Sequence, residues 1–252
     1  MNAYDAFASA YDLLNTEIDY AKIADGVCKR LAKAGVAKGA LVLDLGCGTG
    51  TLTRILANRG FDMIGVDGSG EMLAAAREKG SDGALWLEQE LDGFELYGTV
   101  AAIVSTTDTL NHVTDPDALR RVFALAHNYL DPDGLFVFDL NAPAKFETTY
   151  RASDYVLEDE GVFLAWQSEY DEGERLADFA ITLFEEGEDG LWTRSDAEFC
   201  ERCYGREEIA GMLCEAGFEL LSVTDGYAGG EADDKTERFV FTARCVKPKT
   251  PV

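Results

Sequence analysis

"LVLDLGCGTG", residues 41–50, sets Gly46, Gly48 and Gly50 at alternate positions directly behind an apolar run. Glycine weakens regular structure and is retained where the backbone needs φ > 0, or where another group must come very close to it. The run before the glycines reads as a buried strand, and Thr51 opens a helical pattern in which Leu52, Ile55 and Leu56 share a face. Strand, glycine turn and helix start therefore follow one another. Backbone N–H groups exposed at such a turn, with the positive end of the helix dipole, suit an anionic group such as a carboxylate or phosphate. The next apolar run, "MIGVD", ends at Asp67, 21 residues beyond Gly46. An ionised carboxylate only accepts hydrogen bonds, and at the tip of a second strand it is placed to take both from a ribose diol. Two adenosine-bearing ligands compete for such a site. The dinucleotide fingerprint G-x-G-x-x-G would put its third glycine at 51, where this chain has threonine, so the spacing leans away from NAD.

Outward from that turn, the first 150 residues alternate short apolar runs with longer helical patterns, as a parallel sheet flanked by helices requires. The reading is an α/β fold: a doubly wound, mostly parallel, seven-stranded Rossmann-like sheet. Strands are predicted at Leu41–Leu45, Met63–Val66, Ala84–Leu87, Ala101–Ser105 and Leu135–Asp139. A helix over 20–34 ends at Gly35, and "TDPDALRRVFALAHNYL" opens a crossover helix with an Asp-Pro pair suited to N-cap and first-turn positions. After Pro143 the pattern becomes extended and aromatic, with acidic Gly-containing turns, which predicts an antiparallel β insertion after strand five. We divide the chain into a cofactor-binding domain of residues 1–147 and 205–252, with N-terminal helices, and an insertion of residues 148–204 serving as lid or dimer surface. A helix over 206–216 leads to runs at Glu219–Thr224 and Arg238–Ala243 that close the sheet as a hairpin-like pair.

Bulk properties exclude more than they identify. With 22 basic against 47 acidic residues the formal charge is −25, so nucleic acid and anionic membranes are poor partners. The N-terminus lacks the positive start of a signal peptide and no apolar run reaches the ~18 residues of a membrane helix, so a soluble cytoplasmic protein is expected. The six cysteines lack a disulfide framework and read as reduced thiols. Cys200 and Cys203 form a lone C-x-x-C, and with only His112 and His127 in the chain no metal site is expected.

The residues "LDLGCGTG", "VDGSGEML" after the second strand and "LEQEL" after the third resemble those of class I S-adenosylmethionine-dependent methyltransferases, over nearly the whole chain. The resemblance implies S-adenosyl-L-methionine as cofactor and S-adenosyl-L-homocysteine as product. It implies that the loop Gly46, Cys47, Gly48 and Gly50, with Asp44, lies around the methionine end. Asp67 and Gly68 would meet the ribose, Met72 the adenine face, Glu90 the adenine amino group and the Leu91 backbone a ring nitrogen, with Ser105 on the fourth strand. "YDAFASAYDLL" and "STTDTLNHV" narrow the resemblance to a small-molecule subgroup similar to sugar-amine and glycine N-methyltransferases, which implies a small soluble acceptor methylated on N or O. In the sugar enzymes a histidine of the strand-four loop is the general base, and it falls on His112 here.

Methyl transfer mainly requires nucleophile and methyl held about 3 Å apart and collinear, and a neutral imidazole suits the removal of an amine proton. His112 is thus the candidate base, and Tyr11 a second catalytic candidate on the face it shares with Tyr4 and Phe7. Asp108, Asn111 and Arg202 are candidate acceptor-binding residues; Asp108 and Asn111 read equally as turn formers. Trp166, Trp192, Arg194 and Tyr204 read either as a lid or as a sheet core with arginines answering local carboxylates. Several relatives carry histidine where Phe199 stands, so the acceptor itself is not carried over. A homodimer through the insertion, a methyltransferase-like binding protein without turnover and an NAD-dependent oxidoreductase are the other readings.

Overall fold

The computed structural model describes Ala8 and residues 11–80, 83–159, 161–187 and 189–247; Tyr4 and Phe7 lie outside them. In chain order, β1 (Leu41–Leu45), β2 (Asp62–Asp67), β3 (Leu85–Glu88), β4 (Val100–Ser105) and β5 (Leu130–Asn141) are parallel. They join β10 (Phe218–Asp225) and β11 (Arg238–Cys245) in a seven-stranded sheet of order β10-β11-β5-β4-β1-β2-β3. Only β11 runs against its neighbours, pairing β5 on one side and β10 on the other. The doubly wound fold expected from the sequence is the one adopted.

Alternate strand residues feed two layers. Leu43, Leu45, Ile103, Phe136, Phe138 and Phe241 point to one face. There they meet Leu119, Val122 and Phe123 of α5 (Pro116–Tyr129), and Ile209 and Leu213 of α7 (Arg206–Glu215). On the other face Val42, Met63, Val104 and Val137 meet Val27 and Leu31 of α2 (Tyr20–Lys33), and Leu52 and Leu56 of α3 (Thr51–Asn58). Each side chain buried this way contributes about 1.5–3 kcal/mol of transfer free energy, so the two layers fix the strand order. Asp115 caps α5, accepting from Asp117 N at 3.0 Å, with Pro116 in the first turn. Strand β5 begins at Leu130, five residues before the sequence reading placed it, because Leu130 pairs with Val100 across an irregularity in register. The intervening "DPDG" has the composition of a turn, and Asp133 adopts φ 65°.

After α6 (Pro143–Thr148), the strands β6 (Ala152–Asp159), β7 (Val162–Asp171), β8 (Leu176–Glu186) and β9 (Trp192–Arg202) form a separate antiparallel sheet in sequential order. Its inner face carries Val162, Leu164, Ile181 and Leu183, which pack with Ala8 and with Met72 of α4 (Gly70–Glu78), against Tyr11 of α1 (Tyr11–Leu14). Trp166 joins this layer through Phe179 and Phe199, with ring centroids 5.4 and 5.8 Å away, whereas Trp192 is exposed and Arg194 pairs with Asp196. The insertion therefore lies over the carboxyl ends of the parallel strands. All six cysteines are unpaired. Among the described residues no helix is long and apolar enough to cross a membrane.

Candidate active site

The strand order turns back between β1 and β4, and in open α/β sheets the crevice beyond such a switch point is where ligands bind. Gly46, Gly48 and Gly50 all adopt positive φ there, at 77°, 52° and 74°. Each answers a different need. A side chain at Gly46 would collide with Thr109, whose Oγ1 reaches back to the Gly46 carbonyl at 3.4 Å. A side chain at Gly50 would collide with the indole of Trp86, which also lies across Gly65. Gly48 instead faces open space, and its N–H donates to Asp67 Oδ2 at 2.7 Å. The other Asp67 oxygen accepts from Ser69 N at 2.9 Å. Burial raises the Asp67 pKa and these backbone donors oppose the rise.

In front of this loop opens a cavity of about 520 Å³. Asp44, Gly46, Cys47, Gly48, Asp67 and Gly68 line one side. Met72, Glu90 and Leu91 line the next stretch. Asp44 is 1% exposed and donates nothing; its Oδ2 accepts from Thr53 Oγ1 at 2.6 Å. Burial nonetheless pushes its pKa up to about 7, and the neighbouring Asp67 charge adds to the rise.

Tyr11, Tyr20, Thr107, His112 and Phe199 line the far end. The two tyrosine hydroxyls are hydrogen-bonded to each other, and burial raises both pKa values. His112 ends a 3-10 turn (Thr109–His112), with its ring edge-on to Phe199 at 5.2 Å between centroids. Burial lowers its pKa, outweighing the Asp108 charge and a hydrogen bond to the Cys200 backbone. Burial thus holds the ring toward its uncharged form at neutral pH.

A methyltransferase-domain model matches residues 42–134, which hold the glycine loop, Asp67 and His112. A protein of Bacillus subtilis (strain 168), YqeM, assigned by name to the methyltransferases, is 32% identical over 99% of both chains. A similarly assigned protein of Geobacillus sp. (strain WCH70) is 30% identical over 96% of this chain and 99% of its own. The chain belongs to the S-adenosylmethionine-dependent methyltransferases. A crystal structure of such an enzyme from Clostridium acetobutylicum ATCC 824 superposes with a TM-score of 0.86, at 29% identity over 98% of this chain and all of that one. The amino pentose methyltransferase CalS10 from Micromonospora echinaspora, with cofactor bound, shares the fold at TM-score 0.73 and 23% identity, over 91% of this chain and 92% of its own.

The residues of this methyltransferase fit that cofactor. Gly48 leaves its flank open to the cavity. The Asp67 carboxylate accepts from the Gly48, Ser69 and Gly68 backbones, and its remaining acceptor capacity lies at the cavity wall, where a diol would meet it. Asp44 could offer a carboxylate to an ammonium, and Met72 and Leu91 apolar surface to a base, all from the same cavity wall.

Five residues singled out in the sequence lie outside the cavity lining, each for a packing reason. Gly50 accommodates Trp86. Ser105 is fully buried and donates to Leu45 O at 2.7 Å, tying β4 to β1. Asn111, also fully buried, donates to Arg202 O at 2.9 Å and accepts from Asn141 N at 2.9 Å, stapling the strand-four loop to the insertion and to β5. Asp108 accepts from Asn141 Nδ2 at 2.9 Å and pairs with Arg238 at 3.3 Å. Arg202 stacks over Tyr204 with 5.8 Å to the ring centroid. His127 packs edge-on against Phe218 in the core, as a structural residue should.

Tyr20 and the threonines Thr106, Thr107 and Thr109 also line the cavity and were not singled out from the sequence. Sequence reasoning also missed Asp12, whose Oδ1 accepts from Thr49 Oγ1 at 2.7 Å and which pairs with Lys79, fastening α1 to the glycine loop. The threonine-rich run "STTDTLNHV" was the available signal for the loop. No local pattern marks Asp12.

Proposed function

We propose that this methyltransferase acts on a nitrogen or oxygen of a small acceptor that enters beside His112, Tyr11 and Phe199. The observation that carries the reading is the place of His112 in the cavity wall, its ring edge-on to Phe199 at 5.2 Å, where burial lowers its pKa. Bound S-adenosylmethionine supplies an activated methyl group and leaves as S-adenosylhomocysteine. Asp67 takes the ribose hydroxyls, Met72 packs on the adenine, and Glu90 with the Leu91 backbone reads its polar edge. The Gly46–Gly48 turn and Asp44 take the methionine end. Because the methyl is already reactive, the protein contributes chiefly position, holding the acceptor atom about 3 Å from it in line. His112, held toward its uncharged form by burial, receives the acceptor proton. The inner face of the insertion excludes water above, and the carboxylates Asp44, Asp67, Glu90, Asp92 and Asp115 along the cavity disfavour a polyphosphate chain.

S-adenosylhomocysteine release tests the reading when the enzyme is offered a panel of small amines and alcohols. Turnover with a member of the panel, slowed by about 10²-fold in His112→Asn, is the expected result. Turnover only with RNA, DNA or protein would overturn it.

A further inference from the structure

The Asp139 carboxylate touches nothing in the cavity, yet it organises the loop that forms the cavity's far wall. It sits at the end of β5, fully buried. Its Oδ2 accepts from Thr107 N at 2.9 Å and its Oδ1 from Asp108 N at 2.8 Å. Tyr227 Oη donates to Oδ2 at 2.7 Å, and Arg238 Nη1 donates to Oδ1 at 2.6 Å. A carboxylate has about four acceptor positions, and here all four are used.

The two backbone groups it holds are unusual. Thr107 and Asp108 are consecutive non-glycine residues at φ 56° and 60°. The left-handed region is unfavourable for such residues and persists only where the surroundings over-determine it. Thr107 lines the cavity; two residues on, Thr109 braces Gly46 and opens the 3-10 turn that ends in His112. Within the same turn Asn111 N donates to Asp108 O at 2.8 Å, so the conformation at 108 sets the turn that follows.

We propose that Asp139, with Arg238 behind it, is a positioning residue of the methyltransferase: it fixes the left-handed Thr107–Asp108 pair and thereby the place of His112. This rests on His112 facing the acceptor, but its test does not need the acceptor. An amide in place of the carboxylate would offer two acceptor positions instead of four and turn a donor toward Thr107, Asp108, Tyr227 or Arg238. The loop would then relax to ordinary φ and carry the imidazole with it.

The chain has two histidines, so the His112 imidazole resonances are assigned by comparison with His127→Gln. In Asp139→Asn the His112 resonances are expected to shift or broaden and its titration midpoint to move, while S-adenosylhomocysteine affinity by calorimetry stays within about threefold. Adding Thr107→Gly, which removes the left-handed strain at that residue, is expected to move the signal back toward its original position. An unchanged His112 spectrum in Asp139→Asn overturns the proposal, as does a shift that Thr107→Gly leaves as large as before. Amide exchange in the unaltered protein gives an independent reading that does not depend on the variant folding. Protected Thr107 and Asp108 amides are expected, and amides that exchange as freely as those of an open loop would also overturn it.

Discussion

Thr53 Oγ1 donates to Asp44 Oδ2 at 2.6 Å from the first turns of the helix behind the glycine loop, and Asp44 is 1% exposed. This single hydroxyl offsets part of the burial that pushes the Asp44 pKa up to about 7. The protein thus holds a carboxylate poised between its two forms beside the proposed site of an ammonium.

A pH dependence of cofactor binding follows. The ionised form attracts a cation, so affinity for S-adenosylhomocysteine should rise by up to about tenfold between pH 6 and pH 8, the range over which a group titrating near 7 ionises. Calorimetry at both pH values checks this, and Asp44→Asn should flatten the dependence. The stability of the unliganded fold carries the opposite sign. Because the folded pKa lies above the ordinary aspartate value, that contribution is complete at acid pH and is lost as pH rises through about 7.

Gly50 and Trp86 form a second dependence. Gly50→Ala must place a Cβ at φ 74° and against the indole. The combination should destabilise the fold by on the order of 3 kcal/mol, measured by urea unfolding. In a Trp86→Ala background the collision with the indole is gone, leaving the backbone term and a tight approach to Ala76 Cβ at 3.2 Å, so the two changes together should cost less than their sum.

Which parts of this were legible beforehand follows from the range of the interactions. The strand at 41–45, the glycine turn and Asp67 are written in contiguous residues, because an apolar run, φ > 0 and a strand-end carboxylate are local requirements. So too were the crossover helix, through Asp115 and Pro116, and the inserted sheet, through its aromatic alternation. Trp86 under Gly50, Asn111 against Arg202 and Asp139 beneath Thr107 join residues far apart in the chain, and a single sequence carries no mark of them. Nor does the sequence mark that Arg202 lies over the Tyr204 ring. The "DPDG" before Leu135 looks like a turn, and the sheet extends through it to Leu130.

His112 supplies the test of the chemistry. With an acceptor in hand, His112→Asn should slow turnover by about 10²-fold with little change in S-adenosylhomocysteine affinity. The base must be uncharged, so the rate of the unaltered enzyme should rise with pH through the lowered histidine pKa and level off by neutrality. That acid limb should be absent from the variant's pH–rate profile.

The account stands on Asp67 and the glycine loop clasping an adenosine with an amino-acid tail. Calorimetric titration with S-adenosylhomocysteine, on the unaltered protein and on Asp67→Ala with matching thermal unfolding, reads this directly. Losing two charge-assisted hydrogen bonds should weaken binding by on the order of 100-fold or more. Equal affinity in the two proteins, or none in the unaltered one, would contradict it.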